Sequence, residues 1–457
     1  MTGDAGWRRL AGLVQGRIRR PGEDGFAAVS AAFNQRYASQ VPAGVLSATG
    51  VADVRQAIGW ARDADVQLVA RGGGHSYAGH SVGTGLTLDL SALRTVSVDP
   101  SSGLVTVGGG ARMSDLYAAL APHGLLLPLG NSPDVGIGGL ALGGGTSAVS
   151  RAYGLTADTL VGTTLVTADG QLRHCDATTN RDLFWACRGG GGGNFGVNVS
   201  FTFRAVPVPP AVSTGLLLWT GSDAGLAQRV LHELQEVARR APDAFSSRIG
   251  VSTSRDRPLL VSAVALHLGP AGELRELLAP VLAAAAPDRA DLADRSFWDA
   301  NTYLLHETSQ GAFAARTAFA PAPLPPEALE AALEHLARWP GGGNPDGAGL
   351  ALFGWGGAIN RVPATGTAFP HRDAMFMVSL DTSWTPADDV PAHLRWLAGL
   401  HELVRPWTSG GAYLNFTDPD RADWRTAYHG LNYPRLVEVK KQVDPDGFFR
   451  FPQAIGS

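Results

Sequence analysis

The sequence of 457 residues is long enough for two or more domains with substantial cores, which excludes a single small domain. Lys and Arg number 37 against 41 Asp and Glu, so the formal charge is −4, and no long basic run occurs. This balance gives little support to nucleic-acid binding and favours a protein that acts on small molecules.

Cysteine content and the N-terminal sequence indicate the compartment. Cys175 and Cys187 are too few for a disulfide framework and lack the paired spacing of a zinc site, so we expect no metal. Residues 1–25 mix charges among apolar residues, and no segment reaches the length of a membrane span. We expect a cytoplasmic protein, monomeric or homodimeric, with no membrane or nucleic-acid partner; export without such a signal stays open.

Hydrophobic periodicity predicts alternating helices and strands in the first half of the chain. Residues 25–37 and 50–65 are predicted helices. The hydroxyl of Ser114 is predicted to cap a third helix over residues 115–121. Strands are predicted at residues 66–70, 85–90, 104–108, 160–167, 171–175 and 201–208.

Three glycine-rich stretches interrupt these elements: RGGGHSYAGHS at residues 71–81, GNSPDVGIGGLALGGG at residues 130–145 and FWACRGGGGGNFGV at residues 184–197. Because glycine has no Cβ, a diphosphate could lie against the backbone N–H groups of such turns, and several turns could clasp one extended ligand. His75 would then be a reactive imidazole at the edge of a cofactor. A glycine turn with an incidental histidine is equally compatible with these residues.

Two common nucleotide-binding motifs are missing from the sequence. No G-x-G-x-x-G opens a helix of a βαβ unit with an acidic residue about 20 positions further on. No glycine cluster ends in Gly-Lys-Ser or Gly-Lys-Thr either. The sequence therefore predicts neither a Rossmann-type site nor a P-loop.

The composition changes after the proline-rich residues 207–210, which indicate a domain boundary. From about residue 212 to 410, strand-like runs such as 213–220 and 259–268 alternate with helices rich in alanine and leucine. Those helices are predicted at residues 224–240, 271–285 and 326–337. This pattern predicts a second domain with an antiparallel sheet covered by helices on one face, within an α+β protein.

Motifs over most of the chain carry a family resemblance: VARGGGHSYAGHS, VGIGGLALGGG, YGLTAD, FWACRGGGGGNFGV, GGAINRVPATGTAFPHR, YLNFTDP and HGLNYPRLVEVKKQVDP. In order and spacing they resemble the FAD-linked oxidases of the vanillyl-alcohol oxidase (PCMH-type) superfamily, in the berberine-bridge-enzyme-like subgroup. The resemblance implies an FAD-binding domain at residues 1–207, a substrate-binding domain at 208–410, and a C-terminal berberine-bridge-like segment, 411–457, that returns to the first domain.

The resemblance also implies how FAD is attached. The histidine that matches His75 bonds through its ring to the 8α-methyl carbon of the flavin. Many relatives add a second link from a cysteine, and the matching residue here is Ser132, which cannot replace a thiolate. We therefore expect a covalent link through His75 only. Cys187 is expected to be a buried, inert thiol rather than a substitute link.

Tyr413 matches the tyrosine expected to take the substrate's hydroxyl proton. A phenol has an ordinary pKa near 10, so its phenolate must be stabilised by a hydrogen bond or a positive charge that the sequence does not reveal. Asn415 is expected to hold flavin or substrate. The full set of expected cofactor-binding residues is Arg71, Gly72, Gly73, Gly74, His75, Ser76, Gly79, His80, Ser81, Pro133, Val135, Gly138, Gly139, Gly143, Gly144, Gly145, Gly154, Leu155, Asp158, Gly193, Gly196, Val197, Tyr413 and Asn415.

Substrate contacts are expected from polar and aromatic residues, although packing explains most such residues equally well. The expected contacts are Tyr77, Tyr153, Tyr303, Trp355 and Asn360, with His306, Glu307, His371, Arg372 and Trp384 as further candidates for the pocket wall.

These features predict an FAD-dependent oxidase. It would take a hydride from a C–OH or C–N centre of a sugar, glycoside or secondary metabolite and pass the electrons to O₂, giving hydrogen peroxide. Two alternatives remain at this point. One is a flavin-dependent oxidative cyclase or rearrangement enzyme of natural-product biosynthesis, and the other is a non-catalytic flavin-binding protein.

Overall fold

The computed structural model describes residues 3–221, 223–305 and 311–457, with the side chains of residues 257 and 258 excepted. The pocket-wall candidates His306 and Glu307 lie outside the described residues. Within the described part, no helix is both long and apolar enough to cross a membrane.

The first 207 residues form two sheets and a short strand pair. The helices are α1 Asp4–Ala11, α2 Phe26–Ser30, α3 Val51–Asp63, α4 Met113–Leu120, α5 Ile137–Leu142, α6 Ser150–Tyr153 and α7 Arg181–Ala186. The strands are β1 Arg17–Arg19, β2 Gly44–Ser47, β3 Leu68–Arg71, β4 Leu86–Asp89, β5 Val96–Asp99, β6 Leu104–Gly108, β7 Leu125–Leu126, β8 Leu160–Val166, β9 Leu172–Asp176, β10 Val197–Arg204 and β11 Val206–Pro207.

These strands pair in a definite order. The first sheet runs β1-β2-β4-β3, with β2, β4 and β3 parallel, and the second is antiparallel in the order β5-β6-β10-β8-β9. The helix α3 buries Val54, Ala57, Ile58 and Ala61 at helical spacing, and these residues pack into the core of the first sheet. The strand β3 leads directly into the first glycine stretch, so the sheet fixes where that turn begins.

Two local predictions in this half are wrong. The helix α4 begins at Met113, and the Asp115 carboxylate accepts the Arg112 N–H (2.9 Å), so Ser114 lies inside the helix rather than at its cap. The helix predicted over residues 25–37 ends at Ser30. Asn34 explains the early end, because its side-chain amide donates to the carbonyls of Tyr77 (2.8 Å) and Phe313 (3.0 Å) and thereby fixes this segment to two other parts of the chain.

The middle of the chain forms a seven-stranded antiparallel sheet in the order β15-β12-β14-β13-β17-β18-β16. Its strands are β12 Val212–Thr220, β13 Phe245–Ser254, β14 Arg257–His267, β15 Arg289–Arg295, β16 Ala312–Ala320, β17 Ala348–Gly354 and β18 Phe376–Trp384. The helices here are α8 Ala224–Arg240, α9 Ala271–Ala284, α10 Phe297–Tyr303, α11 Pro326–Leu336, α12 Ala358–Arg361 and α13 Val390–Val404.

Side-chain alternation gives this sheet two faces. One face packs against α8, α9, α11 and α13, and residues such as Ile249, Leu350 and Val378 form that core. The opposite face lines a large cavity. The predicted α+β fold, with an antiparallel sheet covered by helices, is confirmed.

The last segment, with α14 Trp424–His429 and α15 Tyr433–Val443, packs against the first half of the chain. Leu436 and Val439 of α15 join the core of the five-stranded sheet. The buried Lys440 ammonium donates to the carbonyls of Asn194 (2.7 Å) and Phe449 (2.8 Å) and pairs with Asp444. The C-terminal segment is therefore bonded to the third glycine stretch.

Candidate active site

A cavity of about 1030 Å³ lies between the glycine-rich stretches, the open face of the seven-stranded sheet and the C-terminal segment. Residues from all three glycine stretches line it, and so do side chains of β13, β14, β16 and β18. The size suits a ligand larger than one sugar ring or one flavin ring system, since ordinary small-molecule pockets span roughly 300–1,000 Å³.

The first two glycine stretches touch each other at this cavity. A Cβ on Gly73 would collide with the backbone of Gly136, and a Cβ on Gly136 would collide with Gly73. Gly74 also has a left-handed φ of 76°, which favours glycine. Glycine is thus required here by close backbone approach, and Gly72 to Gly74 and Gly136 all line the cavity, where a glycine turn suits an anion.

Arg71 supplies a charge beside this cradle. Its guanidinium lies against Gly74, and its Nη1 is buried with no hydrogen-bond partner among the described residues. Burial lowers the pKa of Arg71, with Asp89 opposing that shift. Arg71 does not itself line the cavity, so its positive charge acts from behind the glycine turn, where it favours an anion in the cradle that a Cβ would fill. The residues present therefore fit FAD.

His75 lines the cavity, and its ring stacks on Phe33 with 3.6 Å between ring centroids. Burial lowers the pKa of His75 to about 4, with smaller opposing contributions from a backbone hydrogen bond and Asp134. The imidazole is therefore neutral at pH 7, and a neutral ring keeps a nitrogen lone pair that can act as a nucleophile.

The other candidates for flavin attachment differ from His75. Ser132 lines the same cavity. Cys187 is 1% exposed and is not among the cavity-lining residues. Burial raises the pKa of its thiol to about 12, although the Asn198 amide donates to Sγ (3.7 Å). A buried thiol with a raised pKa is a poor nucleophile.

Tyr413 is 1% exposed and its ring sits at the cavity wall. Its Oη accepts three hydrogen bonds, from the backbone N–H groups of Gly145 (3.1 Å) and Thr146 (3.0 Å) and from Asn415 Nδ2 (3.1 Å). Its own backbone N–H donates to Thr317 Oγ1 on β16 (2.8 Å). The second glycine stretch and the seven-stranded sheet therefore both position this phenol.

The three donors favour a phenolate, which is the form of tyrosine that accepts hydrogen bonds without donating one. Burial works against them and raises the pKa of Tyr413 to about 12, while the bonds from Asn415, Thr146 and Gly145 lower it. At pH 7 the resting side chain is a phenol. The donors reduce the free-energy cost of forming its anion, which is what a base needs during a reaction.

Two charged residues of the open sheet face were missed from the sequence. Asp381 on β18 lies between Ser379 and Ser383 on the cavity side, and burial raises the pKa of its carboxyl to about 7, with Arg248 opposing the shift. Arg248 on β13 also lines the cavity. Each alternates with serines on one face of its strand, Ser246 and Ser252 around Arg248 and Ser379 and Ser383 around Asp381, and this alternation is the sequence signal that identifies the polar face.

Tyr77 lies near both Asp381 and Tyr413. It lines the cavity and stacks on Phe416, with 4.8 Å between ring centroids. Burial raises the pKa of its phenol, and the charges of Asp381 and Tyr413 add to that shift. Asp381 and Tyr413 thus lie on the same side of the cavity, near one tyrosine.

Most of the expected cofactor residues are brought together at the cavity wall. They are Gly72, Gly73, Gly74, His75, Ser76, His80, Ser81, Val135, Gly138, Gly139, Gly193, Gly196, Val197, Tyr413 and Asn415. The expected residues outside the lining are Arg71, Gly79, Pro133, Gly143, Gly144, Gly145, Gly154, Leu155 and Asp158.

Several of the residues outside the lining have structural partners instead. The Asp158 carboxylate accepts two bonds from the Arg372 guanidinium (2.7 and 2.8 Å) and one from the Leu155 N–H (2.9 Å). A Cβ on Gly143 would collide with Asn415. Gly145 acts through its backbone N–H on Tyr413. These residues shape the turn around α6 and the position of the phenol.

The expected substrate residues divide in the same way. Tyr77 and Tyr303 line the cavity, and Tyr303 donates to Asp291 (2.6 Å). Trp355 is fully buried and donates to the His371 carbonyl (3.2 Å), while Asn360 donates to the Ala374 carbonyl (2.8 Å). The candidates not among the cavity-lining residues are Tyr153, Trp355, Asn360, His371, Arg372 and Trp384.

Comparison with known proteins adds independent findings. Family models match an "FAD binding domain" at residues 42–176 and "Berberine and berberine like" at residues 412–456. The chain is 31% identical over 445 residues to the FAD-linked oxidoreductase YvdP of Bacillus subtilis (97% of this chain, 98% of the relative). It is 30% identical to berberine bridge enzyme-like 5 of Arabidopsis thaliana (93% and 88%). A solved chitooligosaccharide oxidase matches with TM-score 0.88 and 26% identity, covering 99% of both chains.

Proposed function

Because the chain belongs to the berberine bridge enzyme-like family of FAD-linked oxidoreductases, we propose that it is an oxidase of hydroxylated substrates. It would take two electrons from a C–OH centre, with a C–N centre as the second possibility, and pass them to O₂ to give hydrogen peroxide. The observation that supports this proposal best is the phenol of Tyr413, which accepts three N–H bonds at the wall of the same cavity as His75 and the glycine stretches.

The glycine stretches would hold FAD, with the Arg71 charge behind Gly74, and FAD when bound supplies an acceptor for two electrons and a proton. The backbone N–H groups at Gly72 to Gly74 and Gly138 would face its phosphates. We propose that attachment is covalent and runs through the His75 ring alone. The neutral imidazole at the cavity supports this, as do the serine at position 132 and the burial of Cys187 outside the wall.

Tyr413 is the proposed base. Because the resting phenol carries a proton, that proton would first leave for the carboxylate form of Asp381, and the donors from Gly145, Thr146 and Asn415 would stabilise the phenolate that remains. The phenolate oxygen would then take the hydroxyl proton of the substrate as the carbon loses its hydride. Asp381 is a second acid–base group of the same cavity. Its pKa of about 7 suits proton exchange at neutral pH, so we assign Asp381 to receiving the proton that Tyr413 gives up.

The cavity surface suggests a sugar or a glycoside as substrate. Serine hydroxyls of the sheet face, Ser252, Ser262 and Ser379 among them, offer hydrogen bonds, while aromatic rings such as Phe313 and Phe416 provide apolar faces. Hydroxylated rings need both kinds of contact. The likeness to a chitooligosaccharide oxidase supports the same substrate class.

We also propose that the chain is organised as an FAD-binding domain, residues 1–207 with 411–457, and a substrate-binding domain, residues 208–410. Among the described residues, those that form the core of the seven-stranded sheet lie between positions 217 and 404, whereas α15 packs into the core of the first half. This division would leave FAD on one side of the cavity and the sheet face on the other.

Aerobic turnover with product analysis tests the oxidase. The purified protein is incubated with oligosaccharides, simple glycosides and benzylic alcohols, and peroxide and product mass are measured. We expect one class to give peroxide and a product two hydrogens lighter with its skeleton unchanged. A cyclised product would favour an oxidative cyclase, and peroxide formation by none of the compounds would count against the proposal. Tyr303→Phe, which changes a cavity-wall tyrosine bonded to Asp291, is the matched control for Tyr413→Phe.

A further inference from the structure

Arg248 lines the cavity from the open face of the seven-stranded sheet, which forms the cavity floor. It lies on β13, the central strand of the seven-stranded sheet. The strand buries Phe245, Ile249 and Val251 in the helix-covered core, so Arg248 lies on the opposite, cavity face, and it is exposed there. A long cationic side chain therefore reaches into the cavity from the middle of its floor.

No described residue forms a hydrogen bond with the Arg248 guanidinium or pairs with it within 4.0 Å, across residues 3–221, 223–305 and 311–457. Burial among cavity walls lowers its pKa, and the charge that opposes this shift is that of Asp381. The strand register places Asp381 opposite Gly349 and Ser252, four residues along and two strands away from Arg248. Standard strand spacing makes the separation of the two Cα atoms roughly 16 Å.

A guanidinium that lines a cavity and has no protein partner keeps its N–H donors and its charge available for a ligand that enters the cavity. A guanidinium presents a planar fork of N–H donors that matches the two oxygens of a carboxylate. We propose that the substrate carries a carboxylate, that Arg248 binds it, and that this carboxylate lies on a part of the substrate remote from the carbon that is oxidised. The substrate class is thus a hydroxylated acid, such as an acidic sugar. This inference rests on the proposed oxidase function.

The distance from the base supports the remote placement. Tyr413 is bonded to Thr317 on the edge strand β16, and Arg248 lies three strands away across β17 and β18. Three strand spacings are roughly 14 Å, which exceeds the width of one sugar ring. A substrate that reaches both residues has its acidic group at one end and its reacting carbon at the other. Binding energy from such a remote group holds the reacting carbon in place without taking part in the chemistry.

Arg289 is the second described arginine that lines the cavity, and it serves as a control. It lies on the edge strand β15, two residues before Asp291, which already pairs with Arg295 and accepts from Tyr303. Asp291 is therefore a carboxylate next but one to Arg289 on the same strand, whereas the carboxylate that acts on Arg248, Asp381, lies two strands away and does not pair with it. Arg289→Gln removes a cavity arginine and the same charge from a different position.

The test uses two matched pairs of two-ring probes with the flavin-loaded protein, because a single ring does not span Tyr413 and Arg248: cellobiouronic acid with cellobiose, and 4′-(hydroxymethyl)biphenyl-4-carboxylate with the corresponding carboxamide. Binding is measured by calorimetry and by perturbation of the flavin absorbance, and flavin reduction is recorded separately. We expect wild type to bind at least one acid about 10-fold or more tightly than its neutral counterpart, and Arg248→Gln to abolish this preference. Arg248→Lys should retain part of it, and Arg289→Gln should keep it within about 3-fold.

Equal binding of acid and neutral probes by wild type would overturn the inference, and so would an acid preference that Arg248→Gln leaves intact or that Arg289→Gln removes instead. Thermal melting of each variant separates misfolding from lost recognition, because a misfolded protein also loses the neutral probes. Binding that depends on Arg248 without any flavin reduction would support the anchor and count against the oxidase. Flavin reduction by a probe, without any preference for the acids, would support the oxidase and count against Arg248 as a carboxylate anchor.

Discussion

The two walls of the cavity are made of different chemical material. The wall proposed for FAD is made largely of glycine backbone, and its shape depends on glycines such as Gly73 and Gly136, whose backbones touch. The opposite wall presents side chains at alternate positions of β13 and β18, among them Arg248 and Asp381. Where two backbones touch, as at Gly73 and Gly136, an added Cβ is not tolerated, whereas a wall of side chains can change one residue at a time. We infer that the first wall fixes the cofactor and the second determines the substrate.

The largest effect is expected at the backbone wall. Gly73→Val would drive a side chain into the backbone of Gly136, so we expect complete loss of bound FAD, seen as a colourless purified protein. Gly59→Ala is the control, because a Cβ there has open space and α3 gains helix propensity. A yellow Gly73→Val protein would show that this close approach is not needed for FAD.

The proposed covalent link at His75 predicts an all-or-none difference in flavin retention at the cofactor wall. In acid-precipitated wild-type protein we expect the flavin to stay with the polypeptide, whereas His75→Ala should release all of it into the supernatant. Ser132→Ala, which changes another residue of the cavity wall, should retain the link. Flavin that stays bound in His75→Ala would contradict the assignment.

Tyr413 joins the two walls, since the backbone wall donates to its oxygen and β16 holds its backbone N–H. Tyr413→Phe removes the oxygen with little change in shape, so flavin reduction should slow by about 10² or more. Tyr303→Phe should alter the rate by less than about 3-fold, because Tyr303 donates to Asp291 rather than standing among N–H donors. Equal slowing in both variants would remove the special role of Tyr413.

Replacing Asp381 is expected to have a smaller effect on the rate of flavin reduction, and the direction of its pH dependence can be predicted. Its pKa, raised to about 7 by burial, means that the carboxylate form appears as the pH rises through 7. Flavin reduction in wild type should increase over that interval, and Asp381→Asn should lose about 10-fold above pH 7 and become independent of pH there. A pH profile that is unchanged in Asp381→Asn would contradict the assignment.

The same shift makes a prediction for stability. Between about pH 4 and pH 7 the Asp381 carboxyl is protonated in the folded state and ionised in the unfolded chain. Its contribution to the free energy of unfolding therefore falls as the pH rises through this interval. Asp381→Asn should therefore raise the melting temperature by a few degrees at pH 8 and by much less at pH 4. Thermal unfolding of both proteins at the two pH values checks this difference.

The sequence identified the backbone wall more readily than the side-chain wall, for a physical reason. Close backbone contact requires glycines in short contiguous stretches, and those stretches are visible locally around His75 and Gly136. The donors to Tyr413 come from Gly145 and Thr146, over 260 positions away, and a backbone N–H leaves no mark on the side-chain sequence. Arg248 and Asp381 line the same cavity because β13 and β18 are in one sheet, separated by β17. Strand order depends on contacts between distant parts of the chain, so the local sequence does not predict it.

Local errors have the same origin. Periodicity predicted α3, α8 and α9 well, because each buries one face at helical spacing. The helix expected to reach residue 37 stopped at Ser30, where the Asn34 side chain bonds to residues 77 and 313 instead. Trp355 and Asn360 were expected at the substrate, yet hydrogen bonds to backbone carbonyls place both outside the cavity wall.

One measurement tests the central proposal most directly: the flavin absorbance of the wild-type protein mixed without oxygen with a substrate that gives peroxide in air. We expect the absorbance to bleach in a single turnover, to return when O₂ is admitted with one peroxide formed per flavin, and to bleach about 10² times more slowly in Tyr413→Phe. An absorbance that stays oxidised with every compound tested would contradict the account of this protein as an oxidase, even if FAD is bound as described.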